Sequence, residues 1–185
     1  MIKATFILLV TFLFFNSFVF ADELSELRMK VENRDASAQF DLGFMFANGE
    51  GVTQDYKQAV YWYTKSAEQG DAGAQYNLAL MFVNGEGVTQ DYKQAVDWYR
   101  KAAEQGYAGA QNNLGLMFFE GKGVTQDYVQ AHKWWNISAF EDFLAAASGG
   151  ADARKNRDLV ENKMTKEQVS EAQRLAREWM EAYKK

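Results

Sequence analysis

Apolar positions in this chain recur at the spacing of an amphipathic helix, and the same pattern returns every 36 residues. Ala36, Ala38, Leu42, Gly43 and Phe46 are matched by Ala72, Ala74, Leu78, Ala79 and Phe82, and then by Ala108, Ala110, Leu114, Gly115 and Phe118. The spacing predicts one helix per unit, with small residues that admit a close neighbour while Leu and Phe fill the gap. A second helix follows, carrying Tyr56, Ala59, Val60, Trp62, Tyr63 and Ala67 in the first unit, and Trp62, Trp98 and Trp134 keep the same interval. Its apolar stripe is wider than one face, as expected for a helix packed on both its partner and the next unit. Self-similarity at a period of this length marks a stacked repeat array.

The text joining the two helices is the most faithfully copied in the chain. GEGVTQDYKQAV runs from Gly49 to Val60, is repeated letter for letter from Gly85 to Val96, and is echoed from Gly121 to Ala131. Asn48-Gly49 ends the first helix, because glycine accepts the left-handed backbone of a C-terminal cap. Asp55 stands three residues before Gln58, Asp91 before Gln94, and Asp127 before Gln130, which is the spacing of a capping box. Each carboxylate is also expected at the positive end of a helix dipole, and losing one should cost about 1 kcal/mol. The three acids are therefore read as structural and not as a catalytic set.

The ends depart from the period. Lys3, an almost wholly apolar run from Ala4 to Phe20, and Val19-Phe20-Ala21 read as a signal peptide over residues 1–21, with an uncleaved membrane anchor as the alternative. Leu24, Leu27 and Val31 give residues 22–35 the pattern of a half repeat that caps the open N-terminal end. Full units are expected at 36–71, 72–107 and 108–150. In the third, Gly70-Asp71-Ala72-Gly73-Ala74 finds its match only at Gly149-Gly150-Ala151-Asp152-Ala153, an offset of 79, so seven residues are added within Ser138 to Ala147. Seven residues are about two helical turns, so the second helix is expected to lengthen without turning its faces. Phe140, Phe143 and Leu144 on that extension are either buried by the C-terminal segment or form a patch for self-association. Residues 151–185 read as a capping helix pair. Arg157 and Asp158 there replace core residues, and Thr165 with Gln168 spells another capping box.

Composition narrows the chemistry. The chain has no cysteine, which excludes disulfides and a lipoprotein anchor. Its formal charge of −5 becomes −6 once Lys3 leaves with the signal, which argues against nucleic acid and anionic lipid as partners. The sole histidine, His132, occupies the place of Val60 and Val96 and is read as a packing residue. One His and no Cys cannot assemble a common zinc site, so no metal and no cofactor is expected.

The segment AGAQYNLALMFVNGEGVTQDYKQAVDWYRKAAEQG, residues 72–106, resembles a Sel-1-like repeat, a relative of the tetratricopeptide repeat, and the resemblance extends over residues 36–183. It implies an all-α, right-handed α-α superhelix of antiparallel helix pairs with a concave face. It also implies a scaffold or adaptor that binds a protein or peptide, linked in bacteria to envelope processes and host contact; the signal peptide adds the expectation that the protein is periplasmic or secreted, and no catalysis is expected. No stable membrane insertion is expected after signal removal. In related repeats the first helix of each unit lines the inner surface. By alignment the partner-binding positions are Phe40, Asp41 and Phe44, then Tyr76, Asn77 and Leu80, then Asn112, Asn113 and Leu116. Amide side chains offer both donor and acceptor to an extended backbone, so the Asp41, Asn77 and Asn113 series is the candidate ladder, with an ordinary solvated helix face as the alternative. The array of these positions lacks Lys and Arg, which argues against a carboxylate clamp. Some cysteine-rich exported relatives are linked to β-lactam binding or hydrolysis, which makes a β-lactamase-like enzyme the alternative function. This sequence departs from them in lacking cysteine, and Ser66, Ser138 and Ser170 are not followed at the third place by Lys. No catalytic residue is assigned.

Overall fold

The computed structural model describes residues 35–145 and 150–183. The signal peptide and nearly all of the N-terminal half repeat lie outside the described residues, as do the side chains of 141–151, those of Phe143 and Leu144 among them. All regular structure among the described residues is helical: α1 (Ala36–Asn48), α2 (Tyr56–Glu68), α3 (Ala72–Asn84), α4 (Tyr92–Glu104), α5 (Ala108–Glu120), α6 (Tyr128–Ala145), α7 (Gly150–Glu161) and α8 (Lys166–Tyr183). The first six pair as α1 with α2, α3 with α4 and α5 with α6, and each second helix also packs on the first helix of the next unit. The result is a solenoid of helix pairs. None of these helices is long and apolar enough to cross a membrane.

Each unit starts on an aspartate where the sequence has one. Asp35 and Asp71 accept hydrogen bonds from the N–H groups of Ala38 and Ala74 at 2.9 and 2.7 Å. Tyr107 takes that place before α5 and makes no side-chain cap bond. The second helices are capped by Asp55, Asp91 and Asp127, each accepting from the N–H groups two and three residues on. The return half of the expected capping box takes a different form. The N–H of each of these aspartates donates instead to the carbonyl of Phe46, Phe82 or Phe118, so no glutamine is needed there. In α4, Gln94 turns to the Asp91 carboxylate. Thr165 and Gln168 do bond in both directions, at 2.8 and 3.3 Å.

The joints repeat atom for atom. Gly49, Gly85 and Gly121 take φ of 73, 71 and 69° and close α1, α3 and α5 by donating to the carbonyls of Met45, Met81 and Met117. Gln54, Gln90 and Gln126 then reach back to the carbonyls of Ala47, Val83 and Phe119 at 2.7, 2.6 and 2.7 Å. Gly87 and Gly123 touch the preceding unit: a Cβ on either would collide with the carbonyl of Tyr56 or Tyr92. The joint is thus also a contact between units.

The core explains the small residues. A Cβ on Gly43 would fall 2.7 Å from the Tyr63 ring, and one on Gly115 would fall 2.7 Å from the Trp135 indole nitrogen. Ala79 takes the same place in the middle unit, and both it and Tyr99 are buried. Amides tie the two helices within a unit: Gln69 donates to the buried Gln39 at 2.7 Å, and Gln105 donates to the buried Gln75 at 2.8 Å, and the next bonds cross to the preceding unit. Gln75 and Gln111 in turn donate to the carbonyls of Ala67 and Ala103. The series stops at Gln111, whose buried side-chain oxygen has no donor among the described residues; one period after Gln105 the sequence holds Glu141.

At the C-terminal end α6 runs for 18 residues against 13 in α2 and α4, five more, where the sequence offset adds seven. Phe140 on it is half-buried. α7 packs on α6 and α5 as a first helix should, but α8 packs mainly on α6 and not on α7. Two substitutions account for this route. α7 carries Arg157 and Asp158 at positions where earlier first helices carry core residues, so it offers no apolar seat for a partner. On α6, Ile137 stands where Lys65 and Lys101 stand in the earlier units, and it is fully buried. Trp134 is consequently 4 % exposed. Trp179 meets it edge-on at 6.0 Å, Tyr183 stacks on Trp179 at 4.8 Å, and the Tyr183 hydroxyl donates to the Gln105 carbonyl at 2.8 Å.

Candidate functional site

The nine sequence-predicted positions fall into three series with different surroundings. Phe40, Tyr76 and Asn112 hold units together. The Phe40 ring lies 5.8 Å from that of Tyr63 and against Gly73 of the next unit. Tyr76 lies 5.9 Å from Tyr99 and 5.0 Å from Tyr107, beside Gly109. The Asn112 carbonyl accepts from the Trp135 indole at 3.1 Å, and its side-chain oxygen accepts from Asn156 at 3.5 Å.

The second series is graded. Asp41 is exposed, while Asn77 and Asn113 are half-buried. Asn113 donates to the Tyr99 hydroxyl at 3.1 Å, so this member of the ladder already serves the core. Burial raises the pKa of the Tyr99 phenol, a shift the Asn113 bond opposes, and burial pushes that of Tyr63 up to about 12. Both phenols therefore stay neutral donors and acceptors.

In the third series Phe44 is 43 % exposed, and Leu80 and Leu116 are half-buried. Positions three apart lie on one helix face, so this series and the second form a single stripe. α7 extends it. At the offset of 79, Asn156 corresponds to Asn77 and Leu159 to Leu80, and Leu159 is 54 % exposed. The stripe thus reads Phe44, Leu80, Leu116 and Leu159 beside Asp41, Asn77, Asn113 and Asn156. The last two partners went unassigned in the sequence because the period breaks inside the third unit, although the offset that locates them is legible there.

The opposite helices present a different surface. Lys65, Lys101 and Lys133 hold their ammonium groups over the rings of Tyr61, Trp98 and Trp134 at 5.7, 3.8 and 4.4 Å. Burial holds the Lys133 ammonium below the usual lysine range. Such lysines shield aromatic faces with their stems and tie them by cation–π attraction.

Chemical machinery is sparse among the described residues. His132 is fully buried, its Nε2 lies 2.7 Å from Glu161 Oε1, and its Nδ1 has no partner. That contact joins α6 to α7. Among the described residues no three His, Asp or Glu side chains gather to hold a metal ion.

Comparison with known proteins agrees with this architecture. The three units match the family model described as Sel1 repeat, at residues 36–71, 72–107 and 108–139. Among solved structures, the chain is similar to a Sel1 repeat protein from Oxalobacter formigenes, with a TM-score of 0.62 and 36 % identity, covering 68 % of this chain and 47 % of that one. It is also similar to c5321, a protective antigen present in uropathogenic Escherichia coli strains displaying an SLR fold, with a TM-score of 0.56 and 33 % identity, covering 86 % of this chain and 41 % of that one. The chain spans less than half the length of either structure. The comparison with curated proteins gave no match.

Proposed function

The chain belongs to the Sel1 repeat family, a fold that generally serves as a protein–protein interaction scaffold, and from that premise we propose that its first-helix stripe binds a peptide or protein segment on the concave face. One observation carries the reading. The joints are copied letter for letter and shape a rigid frame, whereas the stripe they present differs from unit to unit and leaves Phe44 and Leu159 exposed. A frame of fixed geometry with unequal side chains is how repeat scaffolds achieve recognition. We place the protein beyond the inner membrane, in the periplasm or secreted, because the N-terminal sequence reads as a signal peptide. The similarity to a protective antigen supports a role at the envelope or in host contact. The scaffold acts without catalysis: the fully buried His132 is tied to Glu161 between two helices, away from the stripe.

Immobilised wild-type protein and a Phe44→Ser, Leu80→Ser variant of equal helicity would be used to capture partners from envelope extract and from host-cell lysate. Partners held by the wild type and lost by the variant support the reading. Partners retained in full by the variant place recognition elsewhere and refute it.

A further inference from the structure

The last helix does more than close the array, because it reaches past the unit on which it packs. α8 lies on α6, and its far end touches the turn from α4 to α5, where the Tyr183 hydroxyl donates to the Gln105 carbonyl at 2.8 Å. Gly106 in that turn has φ of +83°, and a Cβ on it would collide with the Tyr183 hydroxyl. One buried cluster accordingly takes in Tyr99 of α4, Leu114 of α5, Trp134 and Ile137 of α6 and Ala176 of α8. α8 therefore spans the boundary between the second and third units on the second-helix side.

The boundary between the first and second units is built from the same parts without that helix. Gly70 stands one period before Gly106 with φ of +97°, and among the described residues a Cβ on it meets nothing within 4 Å. Lys101 stands where Ile137 stands, and it holds its ammonium over the Trp98 ring at 3.8 Å. The locks common to both boundaries are alike: Gly87 and Gly123 each meet a carbonyl of the preceding unit, and Gln75 and Gln111 each donate to another. The first boundary has a core of its own, in which Ala59, Tyr63 and Ala67 of α2 meet Ala74, Leu78 and Met81 of α3. To such a core the second boundary adds α8, and also Tyr107 before α5, whose ring lies 5.0 Å from that of Tyr76 on α3. Regions with fewer buried apolar contacts open first, and residues in the turns between packed elements absorb the rotation.

We infer that α8 is a brace: it holds the second and third units as one body and leaves the first unit to swing at the Gln69–Gly70 turn. The purpose of the swing rests on the inner-face reading above. It carries Phe44 toward or away from Leu80 and Leu116, so the first unit closes over a segment seated on the stripe while the braced pair stays fixed.

The chain has no cysteine, so pairs of nitroxide labels can be placed without removing native thiols. Thr53, Thr89 and Thr125 are exposed at the same place in successive units. A Thr53→Cys, Thr89→Cys pair spans the first boundary, and a Thr89→Cys, Thr125→Cys pair spans the second. Distances are read in the full mature chain by double electron–electron resonance, with no partner added. The first pair should give the broader distribution. Trp179→Ala with Tyr183→Phe should widen the second pair to match the first and leave the first unchanged, and Ile137→Lys, which loosens α8 from the α6 side, should do the same. Equal widths for the two pairs in the otherwise wild-type chain would overturn the brace, and that comparison stands even where a variant fails to fold. A second pair that stays narrow in both folded variants would overturn it as well. Because no partner is present, neither result bears on the inner-face reading; conversely, loss of that reading would remove the purpose of the swing and leave the difference in widths intact.

Discussion

Replacing Gly87 by Ala measures how firmly one unit is fastened to the next. Gly87 has φ of +73°, and Gly70, in the loop between α2 and α3, has φ of +97°, so alanine is strained at both. Left-handed backbone costs an L-residue about 1–2 kcal/mol, and the lower entropy of the unfolded chain returns about 0.4–1 kcal/mol. On that basis Gly70→Ala, whose Cβ meets nothing within 4 Å, should lose about 1 kcal/mol. Gly87→Ala carries the same term, and in addition its Cβ runs into the Tyr56 carbonyl at the start of α2. Both colliding groups are attached to backbone, so relief requires the units to move apart, an overpacking cost of about 1–3 kcal/mol. The total is about 2–4 kcal/mol. Urea unfolding followed by far-UV circular dichroism reads the difference, and with an m-value of about 1–3 kcal/mol/M the midpoint of Gly87→Ala should lie about 1 M below that of Gly70→Ala. Gly123→Ala, which meets the Tyr92 carbonyl, should behave like Gly87→Ala. Equal losses at Gly70 and Gly87 would show that the second glycine of the joint is there for its dihedral angle alone, and the argument for an inter-unit lock would fail.

Further outcomes follow from the C-terminal half and the caps. Ile137→Lys restores the residue of the earlier units and sets an ammonium under α8; it should release that helix to limited proteolysis and cost about 2–4 kcal/mol, whereas continued protection would mean that α8 is held by other contacts. His132→Val also restores the earlier residue, trading the Glu161 bond for relief of the unpartnered Nδ1, and should unfold within about 1 kcal/mol of the wild type; a loss several times larger would give the His–Glu contact a structural weight it is not assigned here. The Asp91 carboxyl is held below the usual carboxylate range, first by the Gln94 side chain and then by helix N–H groups. Its contribution is therefore present above the unfolded-state value of about 4 and lost as pH falls through the lower folded-state value. Asp91→Asn should flatten the acid limb of the stability profile, and parallel limbs for the two proteins would contradict this.

Most of the fold is legible in the sequence because it repeats. A small residue at 43, 79 and 115 opposite an aromatic at 63, 99 and 135, and an aspartate before each second helix, are local rules stated three times over. The destination of α8 is harder to read, since it depends on two distant facts, the charges on α7 and the single change from Lys to Ile at position 137, whose joint meaning appears only once α6 and α7 are adjacent. The return bond of the capping boxes escaped sequence reasoning for a similar reason: the carbonyls of Phe46, Phe82 and Phe118 reach the aspartate N–H groups through the turn of the joint. The candidate site was legible in outline. Asp41 and Phe44 do face solvent, but Phe40 and Tyr76 are committed to ring contacts within their own units and to Gly73 and Gly109 of the next, and Asn113 to the Tyr99 hydroxyl. One-dimensional periodicity assigns a residue to a face of its helix and is blind to how far the next unit covers that face.

The central claim is that recognition occurs on the first helices and not on the lysine-covered aromatic side. Backbone amide chemical shifts of the mature protein, followed while a partner captured by the immobilised wild-type protein is added, test it most directly. The account predicts saturable shifts at Asp41, Phe44, Asn77, Leu80 and Leu116 with little change at Tyr61, Trp62 and Trp98. Shifts concentrated at Tyr61, Trp62 and Trp98, with the first helices silent, would contradict it.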